Sequence, residues 1–215
     1  MVCLPTKIAG VPPQFGDYYT PENTRPLSIV NTDNRILAIA GQIRIEKAAK
    51  NWVSDMQQGF IKGRSMAENI LKVDLAAKKV MLNRTTAIPS CGAIVLFDFK
   101  AAFPSVDQGF LINALQKIGM DANWIRYVKA LYVRNVQKIG STDTEGFNAD
   151  TGIGQGCPLS PVLFAIVADL LLRKLQQELP GSTIRAFADD TCYGHRRHEV
   201  TTAHRCYIRG RRWIL

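Results

Sequence analysis

Apolar residues recur at helical spacing over several stretches of this chain and alternate with polar ones over a short stretch near its C-terminal end. From about Asp33, the residues Ile36, Leu37, Ala40, Ile43 and Ala48 mark one face of a predicted helix. Gly59 breaks that pattern. A second helix follows Ser65, which forms a capping-box pattern with Glu68, and its predicted apolar face is Ile70, Val73, Ala77, Val80 and Met81. Cys91 to Asp98 is an apolar run rich in β-branched residues, bounded by Pro89 and the turn after Asp98, and it predicts a buried central strand. Ser105 with Gln108 opens another helix, with Phe110, Leu111, Ala114, Leu115 and Ile118 inward and Gly119 as its stop. Asp121 starts the next, through Trp124, Ile125, Val128 and Leu131. Residues 134–153 predict a hairpin with Thr142 to Gly146 as its polar turn. Ser160 as N-cap and Pro161 at the first helical position then begin a long apolar helix to about Leu179. After Pro180-Gly181, Thr183 to Phe187 alternates in the strand manner, and a second strand over about Thr191 to Tyr193 completes a short hairpin. Residues 1–34, with prolines at 5, 12, 13, 21 and 26, read as irregular.

With 215 residues the chain is long enough for one large domain or two modest subdomains sharing a core, and it reads as one unit. No apolar stretch approaches the roughly 18–20 residues of a membrane span, and the longest candidate, Pro161 to Leu172, contains Asp169. The start lacks a basic region followed by an apolar run, so no secretory signal is expected and the protein reads as intracellular, in nucleus or cytoplasm. Cys3, Cys91, Cys157, Cys192 and Cys206 are an odd, scattered set, which predicts free thiols in a reducing compartment. The net charge is +9, and residues 193–215 hold six arginines against one glutamate. Such a surplus points to a polyanionic partner, although a solubilising tail fits the same residues.

Asp189 and Asp190 stand side by side at the tip of the predicted hairpin, and Asp98 ends the apolar strand. If residues 93–98 and 183–187 are neighbouring strands, three carboxylates converge, and cations would relieve their repulsion. Magnesium suits such oxygen ligands. A surface turn with a strand-end cap is the bland alternative. The Gly59–Ser65 stretch, with Lys62 and Arg64 before a helix start, suits a phosphate backbone. Gly152, Gly154 and Gly156 allow close backbone approach to a ligand, though an ordinary strand-to-helix loop fits as well. Lys7 and Arg25 are candidate phosphate clamps. Cys192, His195, His198, His204 and Cys206 do not match a known zinc-ligand spacing.

Several blocks, in order, resemble those of reverse transcriptases, most closely of non-LTR (LINE-type) retrotransposons. They are Arg25-Pro26-Leu27-Ser28 with Asn31-Thr32-Asp33, Gln58-Gly59-Phe60 through Gly63-Arg64-Ser65, Asp98-Phe99-Lys100-Ala101-Ala102-Phe103, Gln155-Gly156-Cys157-Pro158-Leu159-Ser160-Pro161 and Phe187-Ala188-Asp189-Asp190. The resemblance, over roughly residues 4–192, implies an α+β polymerase fold: an antiparallel palm sheet flanked by helices, plus helical fingers. It implies fingers over residues 1–90, palm over 91–192 and a basic tail over 193–215. It implies an RNA-directed DNA polymerase acting on an RNA template, a DNA primer and deoxynucleoside triphosphates, with no membrane association. Asp98 and Asp189 would ligate two Mg²⁺ ions, or Mn²⁺ in their place, with Asp190 as supporting carboxylate and the Phe99 carbonyl as a further ligand. Phe103 would exclude ribonucleotides, Lys7 and Arg25 would neutralise the triphosphate, Gln155 and Gly156 would line the nucleotide pocket, and Arg64 and Ser65 would meet the template. The chain departs from the family at Gly154, where a basic residue is usual, and after Asp190, where primer grip and thumb have no counterpart. A non-catalytic, nucleic-acid-binding remnant is therefore the alternative expectation.

Overall fold

Pro5 and Pro26 sit in paired strands rather than in an irregular segment. Strands β1 (Val2–Pro5) and β2 (Thr24–Leu27) run antiparallel, with Cys3 across from Pro26 and Leu4 across from Arg25. In a two-stranded pair each strand keeps an open edge, where a missing N–H forfeits no ladder bond. The computed structural model describes residues 2–5, 20, 24–82, 93–99, 101–133, 135–138 and 145–195. Lys7, Cys91, the start of the turn predicted at Thr142 to Gly146, and the tail beyond His195 lie outside them.

The remaining elements are α1 (Thr32–Trp52), α2 (Met66–Leu82), β3 (Ala93–Phe97), α3 (Gln108–Lys117), α4 (Ala122–Tyr132), β4 (Val136–Gln137), β5 (Phe147–Asn148), α5 (Ser160–Glu178), β6 (Thr183–Phe187) and β7 (Asp190–His195). Helices and antiparallel strand pairs make this an α+β protein. The chain forms two compact units, Met1–Gly41 with Phe103–Ser160 and Gln42–Ala102 with Pro161–Leu215.

In the first unit, α3 packs against α4, burying Leu111, Ala114 and Leu115 on one helix and Ile125 and Val128 on the other. The N-cap of α3 is Asp107, not Ser105: its carboxylate accepts the Phe110 N–H at 2.6 Å. Asp121 caps α4 as the sequence predicts. The first half of α1 is held by Tyr127, whose hydroxyl donates to the Leu37 carbonyl at 2.6 Å. Gly41 lies so close to that ring that a β-carbon would stand 2.8 Å from the phenol oxygen. The α1 face therefore turns away from the predicted one. Ala38, Gly41, Ile45 and Ala49 are buried, while Ile36, Leu37 and Ile43 are exposed, because small residues permit the closer packing.

The second unit holds a three-stranded antiparallel sheet in the order β3-β7-β6. The strand expected at the centre is an edge strand, and β7 separates it from β6. Its Leu96 is 76% exposed and Ile94 is also exposed, so the long apolar run does not mark burial on both faces. Helix α2 packs against β6 and β7. It presents half-buried Val73 and Ala77 but leaves Ile70 exposed. Leu172 and Leu175 of α5 form the core with Ile184 and Ala186 of β6, flanked by Met56, Leu171, Leu179 and Tyr193.

The C-terminal end of α1 explains how residues 53–58 are held. An α-helix leaves its last carbonyls without intrahelical partners, and burial requires that something bond them. Arg64 donates through Nη1 to the Ser54 and Gln57 carbonyls, each at 2.6 Å, and through Nη2 to Val53 at 2.8 Å. Arg173 takes the Trp52 carbonyl at 2.7 Å while its Nε binds Asp169 at 2.7 Å. Buried Asp169 also accepts the Ser54 N–H at 3.0 Å and the Ser54 hydroxyl. Asp169→Ala would strand these donors and should destabilise the fold by about 3 kcal/mol, with Asp169→Asn milder because an acceptor remains. Urea denaturation of the two variants checks the order.

Candidate active site

Because β3 runs antiparallel to β7, its C-terminal end meets the tip of the β6–β7 hairpin. Phe97 is paired with Thr191, and Phe187 with Asp190. Asp98, one step beyond the last rung of β3, thus falls at the same end of the sheet as Asp189 and Asp190. Asp98 and Asp190 are exposed and Asp189 is half-buried, so the desolvation expected of a buried strand end does not arise at Asp98. The donors are carboxylate oxygens open to water, which is the chemistry a hard divalent cation takes, with water and substrate phosphate completing its shell. Among the described residues no three His, Cys, Asp or Glu side chains lie close enough together to hold an ion by themselves. The acids form an open set. Cys192, two residues on in β7, has its thiol pushed up by burial and so stays protonated at neutral pH.

The turn carrying Asp189 is built from Ala188, whose φ is +58°, a left-handed conformation that non-glycine residues seldom adopt. Gln57 holds it. Fully buried, its Oε1 accepts the N–H of Ala188 at 2.9 Å and of Gly59 at 2.8 Å, and its Nε2 donates to the Ala188 carbonyl at 2.9 Å. Gly59 lies against the same peptide: a β-carbon there would stand 2.1 Å from the Ala188 nitrogen. Sequence reasoning missed Gln57, since nothing local separates it from its neighbour Gln58. The one signal was the adjacent glycine, read there as a loop break.

The Arg64 side chain is 7% exposed, and both of its terminal nitrogens bond backbone carbonyls of residues 50–57. Ser65 is exposed and caps α2, accepting the Ala67 N–H at 3.2 Å. Glu68, expected to complete the capping box, pairs with Lys72, and that hydrogen bond lowers its pKa.

Arg25, Phe103, Gln155 and Gly156 belong to the first unit, where backbone bonds join the segments that carry them. The Ser28 N–H, just past the end of β2, donates to the Gln155 carbonyl at 2.9 Å. Gly156, at φ +110°, comes so near Ser28 that a β-carbon would lie 2.3 Å from its carbonyl oxygen, so what closely approaches this glycine is the chain itself. The Phe103 carbonyl accepts the Ile153 N–H at 2.9 Å, and Gly152 donates to Val106 at 2.8 Å. Asp98, Phe99, Asp189, Asp190, Arg64 and Ser65 belong to the second unit. Lys7 lies outside the described residues, as do His198, His204 and Cys206.

The family described as reverse transcriptase (RNA-dependent DNA polymerase) matches residues 13–212. The Pol polyprotein of the type-2 retrotransposable element R2DM from Drosophila melanogaster is 31% identical over 79% of this chain and 16% of its own length. An uncharacterized 149 kDa protein of transposon TX1 from Xenopus laevis is 28% identical over 83% of this chain and 14% of its own. This chain therefore spans less than a fifth of either relative. Among solved structures, telomerase from Candida albicans, in complex with a fragment of telomeric RNA, matches with a TM-score of 0.53 at 12% identity. That match covers 81% of this chain and 30% of the telomerase chain, and it shows a shared fold. No helix among the described residues is long and apolar enough to cross a membrane.

Arg64→Ala should lower stability by about 3 kcal/mol, because it leaves the carbonyls of Val53, Ser54 and Gln57 without this donor, and urea denaturation measures the loss.

Proposed function

The chain belongs to the reverse transcriptase (RNA-dependent DNA polymerase) family, and we propose that it extends a primer 3′-hydroxyl with deoxynucleotides on an RNA template. The observation that carries this reading is the gathering of Asp98, Asp189 and Asp190 at one end of a single sheet by the β3-β7-β6 register. The residues that would hold two divalent cations, Mg²⁺ or Mn²⁺, are Asp98 and Asp189, with Asp190 in support and the Phe99 carbonyl as an extra oxygen donor. When bound, such ions supply Lewis-acid stabilisation of the attacking and leaving oxygens. No side chain need act as nucleophile, because the primer hydroxyl attacks the α-phosphate, its new O–P bond replacing the bond to the departing pyrophosphate and its proton passing to water, and the protein's part is positioning and charge.

Other assignments rest on the first unit. Arg25 and Lys7 would neutralise the triphosphate, and Gln155 and Gly156 would line the nucleotide pocket. The bond between Ser28 and Gln155 supports this pairing, since it ties the strand bearing Arg25 to the loop bearing Gln155. Phe103 would bar a 2′-hydroxyl, its turn being tied to Ile153 by the same kind of bond. On the template side Ser65 is retained, and Arg64 shapes the loop from behind. In this reading residues 1–90 act as fingers, 91–192 as palm, and the basic tail of 193–215 attracts the nucleic-acid backbone without sequence preference. These substrates place its work inside the cell, in nucleus or cytoplasm. The open acid set favours a second reading, a nucleic-acid-binding remnant without catalysis. Primer extension on RNA and DNA templates side by side decides between them: products on RNA support the polymerase, and binding without extension supports the remnant.

Two substitutions test the assignments. Asp189→Asn should cut extension by at least about 10²-fold with an unchanged circular dichroism spectrum, and full extension by that variant would end the metal assignment. Phe103→Val should raise ribonucleotide incorporation relative to deoxyribonucleotide, and a constant ratio would return Phe103 to the core.

A further inference from the structure

We propose that Gln57 is the positioning residue of the hairpin tip, fixing the Ala188 turn and through it the aim of Asp189. The ladder between β6 and β7 ends at the rung joining Phe187 and Asp190, so the N–H and C=O of Ala188 lie beyond what the sheet can bond. The Gln57 carboxamide meets both, accepting from one at 2.9 Å and donating to the other at 2.9 Å. It is the side-chain equivalent of one more peptide group laid against a turn that would otherwise open. Its own base is fixed. Met56 and Gln58 bond Ala186 on the outer edge of β6, at 2.8 Å each, and Gln57 forms a parallel bridge with Ala186. The Gln57 carbonyl is taken by Arg64, and Arg185 of β6 donates to the Asp55 carbonyl at 2.6 Å.

Three properties distinguish this arrangement from ordinary packing. The amide is completely buried, so its bonds do not compete with water. It uses a donor and an acceptor on one residue to meet both the C=O and the N–H of Ala188. It acts on the residue immediately before Asp189, where a small rotation of one peptide swings the carboxylate. Misplacing reacting groups by about 1 Å can lower a rate by about 10²-fold.

The test uses the full chain and has two arms, of which the activity arm rests on the polymerase reading and the exchange arm does not. In the wild type, the Ala188 amide should exchange with deuterium as slowly as the ladder amides of β6, although it sits in a turn. Exchange as fast as an exposed turn amide overturns the proposal. Gln57→Leu, which keeps bulk but no polar atom, should speed Ala188 exchange at least about tenfold while leaving the inner β6 amides protected. Its kcat for primer extension should fall about 10²-fold with KM for the deoxynucleotide nearly constant. Gln57→Glu keeps an accepting oxygen, and burial favours its neutral carboxyl, whose single O–H replaces the amide donor in altered geometry, so it should fall between leucine and wild type. That graded order supports positioning. Unchanged Ala188 protection in both variants, or a fall in kcat no larger than each variant's loss of folded protein accounts for, overturns it. If the wild-type chain extends no primer, the polymerase reading fails while the exchange arm still judges the clamp.

Discussion

The carbonyl groups at the C-terminal end of α1 and in the turn just past it are the constraint on which the second unit is built. Residues 50–57 turn from helix to a partly buried, strand-like segment, and a carbonyl removed from water without a donor costs about 1–3 kcal/mol. Arginines supply the donors. Arg64 reaches back from the loop before α2, Arg173 comes from α5 and Arg185 from β6. Each joins a separate part of the chain to the same short segment, and buried Asp169 fixes Arg173 while holding Ser54. A guanidinium can serve several carbonyls at once because its N–H groups diverge in a plane, which lysine cannot imitate. The segment so held presents Gln57 and Gly59 to the hairpin tip. The position of the acids thus depends on a helix end far from them in sequence.

This dependence explains what could be read from the sequence and what could not. Helices α3, α4 and α5 and the β6–β7 hairpin were legible because local signals agree with their packing: Asp121 caps α4, Gly119 ends α3 in a left-handed conformation, and Pro180-Gly181 follows α5. Strand direction places Asp98, Asp189 and Asp190 at one end of the sheet, although residues 93–98 and 183–187, expected as neighbours, are separated by β7. The strand order was not legible, because a run of apolar residues looks the same whether a strand is central or carries an exposed face, as β3 does at Leu96. The buried face of α1 was misread because apolar residues occur on both sides of that helix. Tyr127, almost ninety residues away, selects the side bearing Gly41. Gln57 was missed, and the backbone bonds of Arg64 were not foreseen, for a shared reason. A polar side chain near a glycine-rich loop suggests a ligand, and only long-range geometry reveals that the chain's own backbone is what it binds.

The glycines of the second unit's loop and of the Gln155 loop carry the same lesson. Glycine permits close approach, but the partner can be internal: Gly59 meets the Ala188 peptide and Gly156 meets the Ser28 carbonyl. In each case the close contact joins two of the sequence blocks that resemble the family. Blocks distant in sequence therefore have a packing reason for their composition in addition to any role toward substrate.

The acids and the groups that place them are held by opposite physics. Asp98 and Asp190 are exposed, so water and salt screen their mutual repulsion and the fold gains or loses little from their charge. A cation held by so open a set would not drive folding, in contrast to closed structural sites whose binding energy is folding energy. Gln57, by contrast, is buried, and its hydrogen bonds act where the dielectric is low and an unmet partner is costly. Ala188 shows why this division is needed. Its left-handed backbone costs about 1–2 kcal/mol relative to an ordinary conformation, and bonds to both of its peptide groups offset that cost. A glycine would adopt the turn freely but would also leave it freely. Alanine held by Gln57 adopts it only while the clamp is closed, so the carboxylates gain a defined direction without being buried themselves.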